Sequence, residues 1–335
     1  MPGWQGTRLS ERSAIFLERM IVLGKKEVMR RLLQMVITLL GVTVLTFGLT
    51  YIAPGDPVEM ILEVGDTIVP PEIIEQTRRE MGLDQPFYVQ YWRWLTGILH
   101  GDMGLSYSAK MPVVDRMLLG APGTLALAGA ALFLMVVISV PLGILIAVHR
   151  NHTIDYVVRF LSFIGVSMPS FWVGLLLLYF FGLKLGLFPI AGGEVSFDRM
   201  VLPAVTLAIV LSSKFTRQVR TAVLEELGKD YVTGARARGI PMSKILWHHI
   251  LPNACLPLVT LFGMSVGWLL GGVAVVEMVF SWPGLGAMAV RAILMRDYPL
   301  LMGFVLWIAT FYMIINLLID ASYYVLNPRL KKGEH

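Results

Sequence analysis

Few residues in this 335-residue sequence are of types that could do chemistry, and they do not form a catalytic set. Two acidic residues, Glu277 and Asp320, fall near the ends of long apolar stretches. Ionisable groups in such stretches are costly, so each is a candidate for a solute path, with anchoring or helix pairing an equal alternative. His248 and His249 are not predicted to bind a metal, because adjacent side chains point about 100° apart on a helix.

Other enzyme signatures are absent from the sequence. It has no Gly-Lys-Ser or Gly-Lys-Thr loop to hold nucleotide phosphates, so we expect neither ATP hydrolysis nor a bound cofactor. The apolar stretches offer no paired carboxylates and no nucleophile with an adjacent base. The single cysteine, Cys255, excludes an intrachain disulfide. The sequence therefore predicts a non-enzymatic protein.

The composition indicates a membrane protein that crosses the bilayer several times. Hydrophobic residues make up 56% of the chain and charged residues 15%, against roughly a quarter charged in soluble domains. The net charge of +5 does not indicate nucleic-acid binding, because no basic face is interleaved with aromatic residues. We predict an all-α fold with six transmembrane helices. They are expected at about 32–52, 124–148, 158–181, 201–213 (continuing towards 227), 258–280 and 300–324.

One polar stretch, Asp230–Pro257, interrupts the apolar second half of the chain. It predicts two short helices joined by a sharp corner, with Asp230 capping the first helix, Gly239 ending it and Pro241 in the first turn of the next. Small residues keep the surface of the first helix low enough for another protein to approach. The alternative is an ordinary solvated loop.

The third apolar stretch is broken at its centre by Ser167, Met168 and Pro169. Proline cannot donate a helical hydrogen bond, and backbone groups freed inside a bilayer need protein or water partners. The break therefore indicates either a helix face that lines a path or a kink packed against its neighbours.

A long polar segment between the first two spans predicts two further helices, Glu72–Met81 and a second beginning after Asp84. In the second, apolar side chains recur at helical spacing at Tyr88, Trp92, Leu95 and Leu99. This stripe favours protein packing or a membrane-interface belt over ligand stacking.

The polar stretch resembles the coupling loop of ABC importer permeases. Gly239 matches the glycine of that pattern, Leu251 and Pro252 match its Leu-Pro, and Ala235 matches its second alanine. Thr233-Gly234 replaces Glu-Ala, so no glutamate role is carried over.

Three separated motifs, the loop itself among them, make this resemblance specific for the peptide and nickel branch of these permeases. Asp230-Tyr231 followed by Ala235–Gly239 is similar to the branch's variant of the loop. The segment Gly101–Ser106 is similar to its external region. The pattern of Glu277, Phe280 and Pro283-Gly284-x-Gly286 is similar to its outer gate.

The resemblance implies a permease subunit of an ATP-driven ABC importer. Its expected partners are a second, similar permease subunit, two cytoplasmic ATPase subunits that use ATP and Mg²⁺, an external solute-binding protein and membrane lipid. The implied ATPase-coupling residues are Asp230, Tyr231, Ala235, Arg236, Arg238, Gly239, Leu251 and Pro252. The implied path or gate residues are Ser167, Met168, Pro169, Glu277, Pro283, Gly284 and Asp320.

The resemblance leaves the solute open between chelated nickel and di- or oligopeptides. The runs Leu127–Leu132 and Ser139–Ile144 look closest to nickel permeases and favour nickel slightly. The alternative from another class is an ion-coupled secondary carrier that works without ATPases.

The resemblance implies a bacterial inner membrane, and the charge distribution predicts that both termini and the polar stretch lie on its cytoplasmic side. On that topology the inner segments hold 19 of the 28 Lys and Arg residues. The predicted organisation is a cytoplasmic extension (1–31), a first helix with its external segment (32–119), a permease core (120–327) and a cytoplasmic tail (328–335).

Overall fold

The computed structural model describes residues 25–54, 58, 62, 69–190 and 194–326, which fold almost entirely into helices. The tail 328–335 and most of the predicted extension 1–31 lie outside these residues. The helices are α1 (Lys25–Ile52), α2 (Pro71–Met81), α3 (Phe87–Leu99), α4 (Val113–Val148), α5 (Thr153–Ser167), α6 (Ser170–Leu177), α7 (Phe197–Leu227), α8 (Asp230–Ala237), α9 (Met242–Ile245), α10 (Leu251–Val279), α11 (Leu285–Leu294) and α12 (Tyr298–Leu326). A π-helical segment, Leu178–Lys184, continues α6, and another, Leu246–Ile250, joins α9 to α10.

Five stretches of helix among the described residues are long and apolar enough to cross a membrane. They are Met29–Ile52, Val113–Val148, Phe197–Leu227, Met242–Leu269 and Tyr298–Asp320. A sixth candidate consists of α5 and α6, which meet at a bend of 103°. This architecture confirms the predicted all-α, polytopic membrane fold.

The bent pair follows the length of α7, which indicates a crossing rather than a loop that returns to its starting side. At one end, Asp155 of α5 pairs with Arg220 of α7, the carboxylate accepting two hydrogen bonds of 2.8 Å. Further along, Gly174 of α6 lies beside Thr206 of α7. Residues 206 and 220 are about 21 Å apart along a helix at 1.5 Å per residue. The α5–α6 pair therefore runs beside α7 over about 21 Å, which favours counting it as a sixth span among the described residues.

The amino-terminal part of the first span and the carboxy-terminal part of the last span lie at the same end of the helix bundle. Arg31 in α1 forms an ion pair of 3.0 Å with Asp320 in α12. At the opposite end of these two antiparallel helices, Thr50 contacts Met302 at 3.4 Å. Gly263 of α10 packs beside Ile319 of α12, and Gly267 packs beside Tyr312, so the two helices run antiparallel. The start of α10, and with it the polar stretch, therefore lies at the same end as Arg31 and Asp320.

The second span begins much earlier than predicted. Helix α4 starts at Val113 instead of near residue 124, and the predicted boundary between 119 and 120 falls inside it. Val113 and Met117 are buried with Leu285 and Leu300 in a small apolar cluster. Burial on this face therefore extends the helix to include Asp115 and Arg116, two charged residues near its start.

The main core lies between α4, α7 and α10. Leu127, Ala131 and Met135 of α4 are buried against Leu207 and Leu211 of α7. The same cluster extends into the polar stretch, where it includes Val232, Ala235, Ile245 and Ile250. The packing of the spans and that of the polar stretch therefore form one continuous core.

Candidate functional site

The polar stretch forms a sharp corner between α8 and α9, which we call the coupling corner (Asp230–Pro252). Gly239 adopts a left-handed conformation with φ +74°. Its amide donates to the Arg236 carbonyl oxygen at 2.9 Å, and the Ile240 amide donates to that of Ala235 at 3.2 Å. These two bonds complete a Schellman motif, which satisfies the last carbonyl groups of α8. Gly239 therefore ends α8 as the sequence predicts.

Two local predictions about this corner need correction. Asp230 is the first residue of α8 and does not cap it, because Lys229 occupies the N-cap without a side-chain hydrogen bond. The second helix is not short, since α9 continues through the π-helical segment into α10. In a regular α-helix the Pro252 ring would meet the carbonyl group four residues earlier, and the wider π-helical turn just before it gives the ring room.

The corner is anchored on one face and exposed on the other. Ala235 is buried in the main core, while Tyr231 and Leu251 are partly buried beside it. The remaining predicted coupling residues, Asp230, Arg236, Arg238, Gly239 and Pro252, are exposed. Gly234 is exposed too, and a Cβ added there would meet nothing within 4 Å. The structure thus brings all eight residues onto one corner, whose exposed side carries Arg236 and Arg238.

Glu226, at the end of α7, fixes this corner to the helix bundle. Its carboxylate accepts a hydrogen bond of 2.7 Å from the Tyr231 hydroxyl and one of 2.5 Å from Lys229 Nζ. Glu226 is only 7% exposed. Burial, followed by the hydrogen bond to Glu226, raises the pKa of Tyr231. Glu226 therefore links α8 directly to the end of α7.

Removing this carboxylate is expected to loosen α8. In Glu226→Ala, Tyr231 and Lys229 lose a charged partner, an interaction of about 1.5 to 3 kcal/mol. Hydrogen exchange of the α8 amides is expected to accelerate by about tenfold or more, since 1.4 kcal/mol corresponds to tenfold. The neighbouring Glu225 is exposed, so Glu225→Ala is the matched control. Equal protection in both variants would contradict the tethering role.

A buried polar network lies at the opposite end of α10, around Glu277. Glu277 has no exposed surface. Its carboxylate accepts hydrogen bonds from Thr124 Oγ1 at 2.7 Å and from the Ala287 amide at 2.8 Å. The Thr124 hydroxyl oxygen accepts one from the Leu285 amide at 2.8 Å. Thr124 and Glu277 thus satisfy unpaired amides at the start of α11 and join α4, α10 and α11.

The turn between α10 and α11 packs tightly into this network. Trp282 Nε1 donates to the Gly123 carbonyl oxygen at 2.9 Å. A Cβ at Gly284 would overlap the Glu277 carboxylate, and one at Gly123 would overlap the Pro283 carbonyl oxygen. The predicted gate residues Glu277, Pro283 and Gly284 are therefore brought together. Glu277 acts here as a buried cap rather than as an exposed charge.

The remaining predicted path residues lie elsewhere. The bend between α5 and α6 contains Ser167, Met168 and Pro169, and its first and last residues are exposed. The Ser167 hydroxyl donates back to the Phe163 carbonyl oxygen at 2.9 Å. Asp320 is at the corner end, paired with Arg31, so the structure does not bring it to Glu277 or to the bend.

Asp297 organises a second buried polar cluster, between the start of α12 and the α3–α4 loop, which comprises residues 100–112. Its Oδ2 accepts from Ser106 Oγ at 2.5 Å, from Ser108 Oγ at 2.7 Å and from the Ser108 amide at 3.0 Å. Burial alone would raise the pKa of Asp297, but these hydrogen bonds outweigh it and the pKa is lowered. Burial and the Asp297 charge raise the pKa of Tyr107 to about 12.

This pKa direction predicts that acid weakens the attachment of the α3–α4 loop to α12. Because the pKa of Asp297 is lower in the folded protein than in the unfolded chain, the ionised carboxylate contributes fully to folding stability above the unfolded pKa of about 3.9. This contribution is lost as the pH falls through the folded pKa. At neutral pH, Asp297→Asn is expected to lower the free energy of unfolding by about 2 kcal/mol or more, because buried donors of Ser106 and Ser108 lose their charged partner. The difference from the parent should shrink below about pH 4.

Thermal unfolding of the purified complex as a function of pH tests this expectation. Asp102→Asn is the control, because Asp102 is exposed and accepts one hydrogen bond, from the Gly104 amide. A parent-to-variant difference that stays constant down to pH 3 would contradict the role given to the Asp297 charge.

Sequence reasoning missed several residues that the structure makes central: Thr124, Asp155, Glu226 and Asp297. Glu226 had a local signal, since it precedes Tyr231 by five residues at a helix end. Asp155 had one too, as an acidic residue at the start of an apolar helix. Thr124 and Asp297 find partners more than 150 residues away, so no local pattern announces them. Among the described residues, no group of three or more His, Cys, Asp and Glu could hold a metal ion.

The fold and site define a class: an α-helical membrane protein with a rigid polar corner at one end of its bundle and a buried polar network at the other. The chain belongs to the family described as binding-protein-dependent transport system inner membrane component, which it matches over residues 139–332. Residues 25–128 match the amino-terminal region of such membrane components. It is thus a multi-pass inner-membrane transport permease.

Curated relatives match nearly the whole chain. The probable D,D-dipeptide transport system permease protein DdpB of Escherichia coli K12 is 38% identical over 327 residues, covering 89% of this chain and 95% of the relative. The dipeptide permease protein DppB of the same organism is 35% identical, covering 91% and 98%. The oligopeptide permease protein AppB of Bacillus subtilis is 37% identical, covering 91% and 98%.

Solved structures agree on the fold. A chain from an inward-facing structure of the MetNI methionine ABC transporter aligns with a TM-score of 0.54 at 20% identity. The alignment covers 63% of this chain and 96% of that one. This similarity supports the permease fold alone.

Proposed function

We propose that this chain is one of two permease subunits of an ATP-driven ABC importer for short peptides. The observation that carries the proposal is the full-length similarity to relatives described as dipeptide and oligopeptide permeases. The slight sequence-based preference for nickel finds no support among these relatives. Peptide is therefore the solute class we propose.

In this proposal the coupling corner fits a groove on a cytoplasmic ATPase. Its outer surface is low at Gly234 and carries Arg236 and Arg238, while its inner face is part of the main core. A corner held by both core packing and Glu226 transmits displacement, because packed cores do not deform continuously. ATP and Mg²⁺ act in the partner subunits, and closure of the motor moves the corner together with α7.

The opposite end of the bundle would form the gate on the side of the solute-binding protein. There the Glu277 network holds the start of α11 against α4 and α10, so these three helices move together. The exposed bend at Ser167–Pro169 is placed to border the path between this chain and the second permease subunit. The clustering of Arg31 and the coupling corner at one end supports a cytoplasmic location for that end.

Transport in vesicles tests the proposal. The complex is purified from native membrane with its partner subunits and reconstituted with enclosed ATP, with the solute-binding protein added outside. Radiolabelled dialanine is expected to accumulate only with both ATP and binding protein. Uptake of a radiolabelled nickel–histidine chelate instead would overturn the peptide assignment. Uptake by the permeases without ATPases would support the ion-coupled carrier and overturn the importer mechanism.

A further inference from the structure

Helix α3 carries an apolar stripe that no described residue covers. Tyr88, Trp92 and Leu99 are 70%, 65% and 76% exposed. Leu95, on the same face, is partly buried. Of the two alternatives raised by the sequence, packing against the described part of the chain is therefore excluded for most of the stripe.

The position of α3 along α1 indicates what lies around this stripe. Phe87 packs edge-on against Tyr51 with ring centroids 5.1 Å apart, and Phe47 contacts both Phe87 and Tyr91. The Tyr91 hydroxyl shares a hydrogen bond of 2.9 Å with Thr43. Thr43 lies nine residues before Ile52, or about 13 Å along the spanning helix. Even allowing for the length of a tyrosine side chain, α3 lies beside the apolar part of α1 rather than above it.

The direction of the stripe is set by helix geometry. Successive residues of α3 are rotated by 100° around the helix axis. The stripe is therefore turned by about 100° around that axis from the side chains that contact α1. About 90° around the axis in the other direction, α3 lines a cavity of about 1260 Å³ with Gln90, Arg93 and Gly97. This cavity lies towards α12 and the α3–α4 loop. The stripe is thus on the flank of α3 away from the protein. The opposite face of α1 also exposes apolar side chains, Leu45 and Leu49, as lipid-facing residues do.

We propose that α3 is an interfacial helix embedded in the leaflet nearest the Ile52 end of α1, with Tyr88, Trp92 and Leu99 in contact with lipid. Aromatic side chains with a polar atom are favoured at this depth, and an interfacial helix buries its apolar face about 5 to 10 Å into the headgroup and acyl boundary. The external segment is then held on the membrane surface by lipid as well as by Asp297, whichever solute is transported.

Spin-label accessibility in vesicles tests this location. Cys255 is the only cysteine, so Cys255→Ser provides a cysteine-free background. Single cysteines are introduced as Tyr88→Cys and Trp92→Cys, with Leu45→Cys as the lipid reference and exposed Glu80→Cys on α2 as the water reference. Each labelled chain is measured within its complete complex for collisions with oxygen, which enters lipid, and with chromium oxalate, which does not.

The labels at 88 and 92 are expected to behave like that at 45. Their ratio of oxygen to chromium oxalate collisions should exceed that at 80 by about tenfold, because a charged chelate is excluded from the acyl region. The labels at 88 and 92 could instead be as accessible to chromium oxalate as the label at 80 and lose this accessibility only when binding protein is added. That result would mark a protein-docking face and overturn the proposal. Labels inaccessible to both reagents would place the stripe against the second permease and also overturn it. None of these outcomes depends on the solute transported.

Discussion

Replacing Gly239 with valine is expected to reduce coupled uptake strongly while the complex still assembles. At φ +74° a β-branched residue is strained by about 2 kcal/mol, so the corner is expected to adopt its native shape about 30-fold less often. A Cβ at Gly239 would meet nothing within 4 Å, so the strain lies in the backbone alone and the core remains packed. Uptake in the vesicle assay should fall by at least about tenfold.

The same position supplies its own control. Asparagine tolerates the left-handed conformation, so Gly239→Asn should keep most of the parent activity although it is larger than glycine. Co-purification of the ATPases reports whether docking survives in each variant. If the valine and asparagine variants lose uptake equally, side-chain bulk and not backbone shape is what the corner cannot accept.

Among substitutions that add a single methyl group to the network around Glu277, Gly123→Ala is expected to lower the stability of the protein most. The new Cβ would overlap the backbone carbonyl oxygen of Pro283 and crowd the indole nitrogen of Trp282. Backbone cannot rotate away as a flexible side chain can, so overpacking of this kind costs about 1 to 3 kcal/mol. The thermal unfolding midpoint of the purified complex should fall, and the Trp282 hydrogen bond should weaken.

Gly129 is the matched control on the same helix, six residues further along α4. A Cβ at Gly129 would meet nothing within 4 Å, so Gly129→Ala should leave stability unchanged or raise it by up to about 1 kcal/mol. Similar losses in both variants would mean that general helix chemistry, and not the contact with the α10–α11 turn, decides the effect. A double variant with Glu277→Gln should be less than additive, because both changes act on one network.

Several features were predictable because their causes are local. The length of each apolar stretch predicts a membrane-spanning helix, since backbone groups in lipid must form their hydrogen bonds within a helix. The break at Pro169 follows from a missing amide, although its 103° bend is sharper than a simple kink. Gly239 ends α8 because glycine accepts positive φ.

Other features depended on which helices meet. Helix α4 begins at Val113 because α11 and α12 cover its first turns, and no local pattern indicates those neighbours. For the same reason Glu277, a path candidate by sequence, is a buried cap whose partners Thr124 and Ala287 come from other helices.

By itself, the sequence predicted an all-α membrane fold with six apolar spans, the place where one span breaks and the place where a sharp polar corner forms. These follow from rules acting within a few residues. The tertiary structure alone decided that Glu226 ties the corner to α7, that Asp155 and Arg220 pair across two spans, and that the α3 stripe is left uncovered. A buried charge or an exposed ring takes its role from its neighbours, and those neighbours are brought together only by folding.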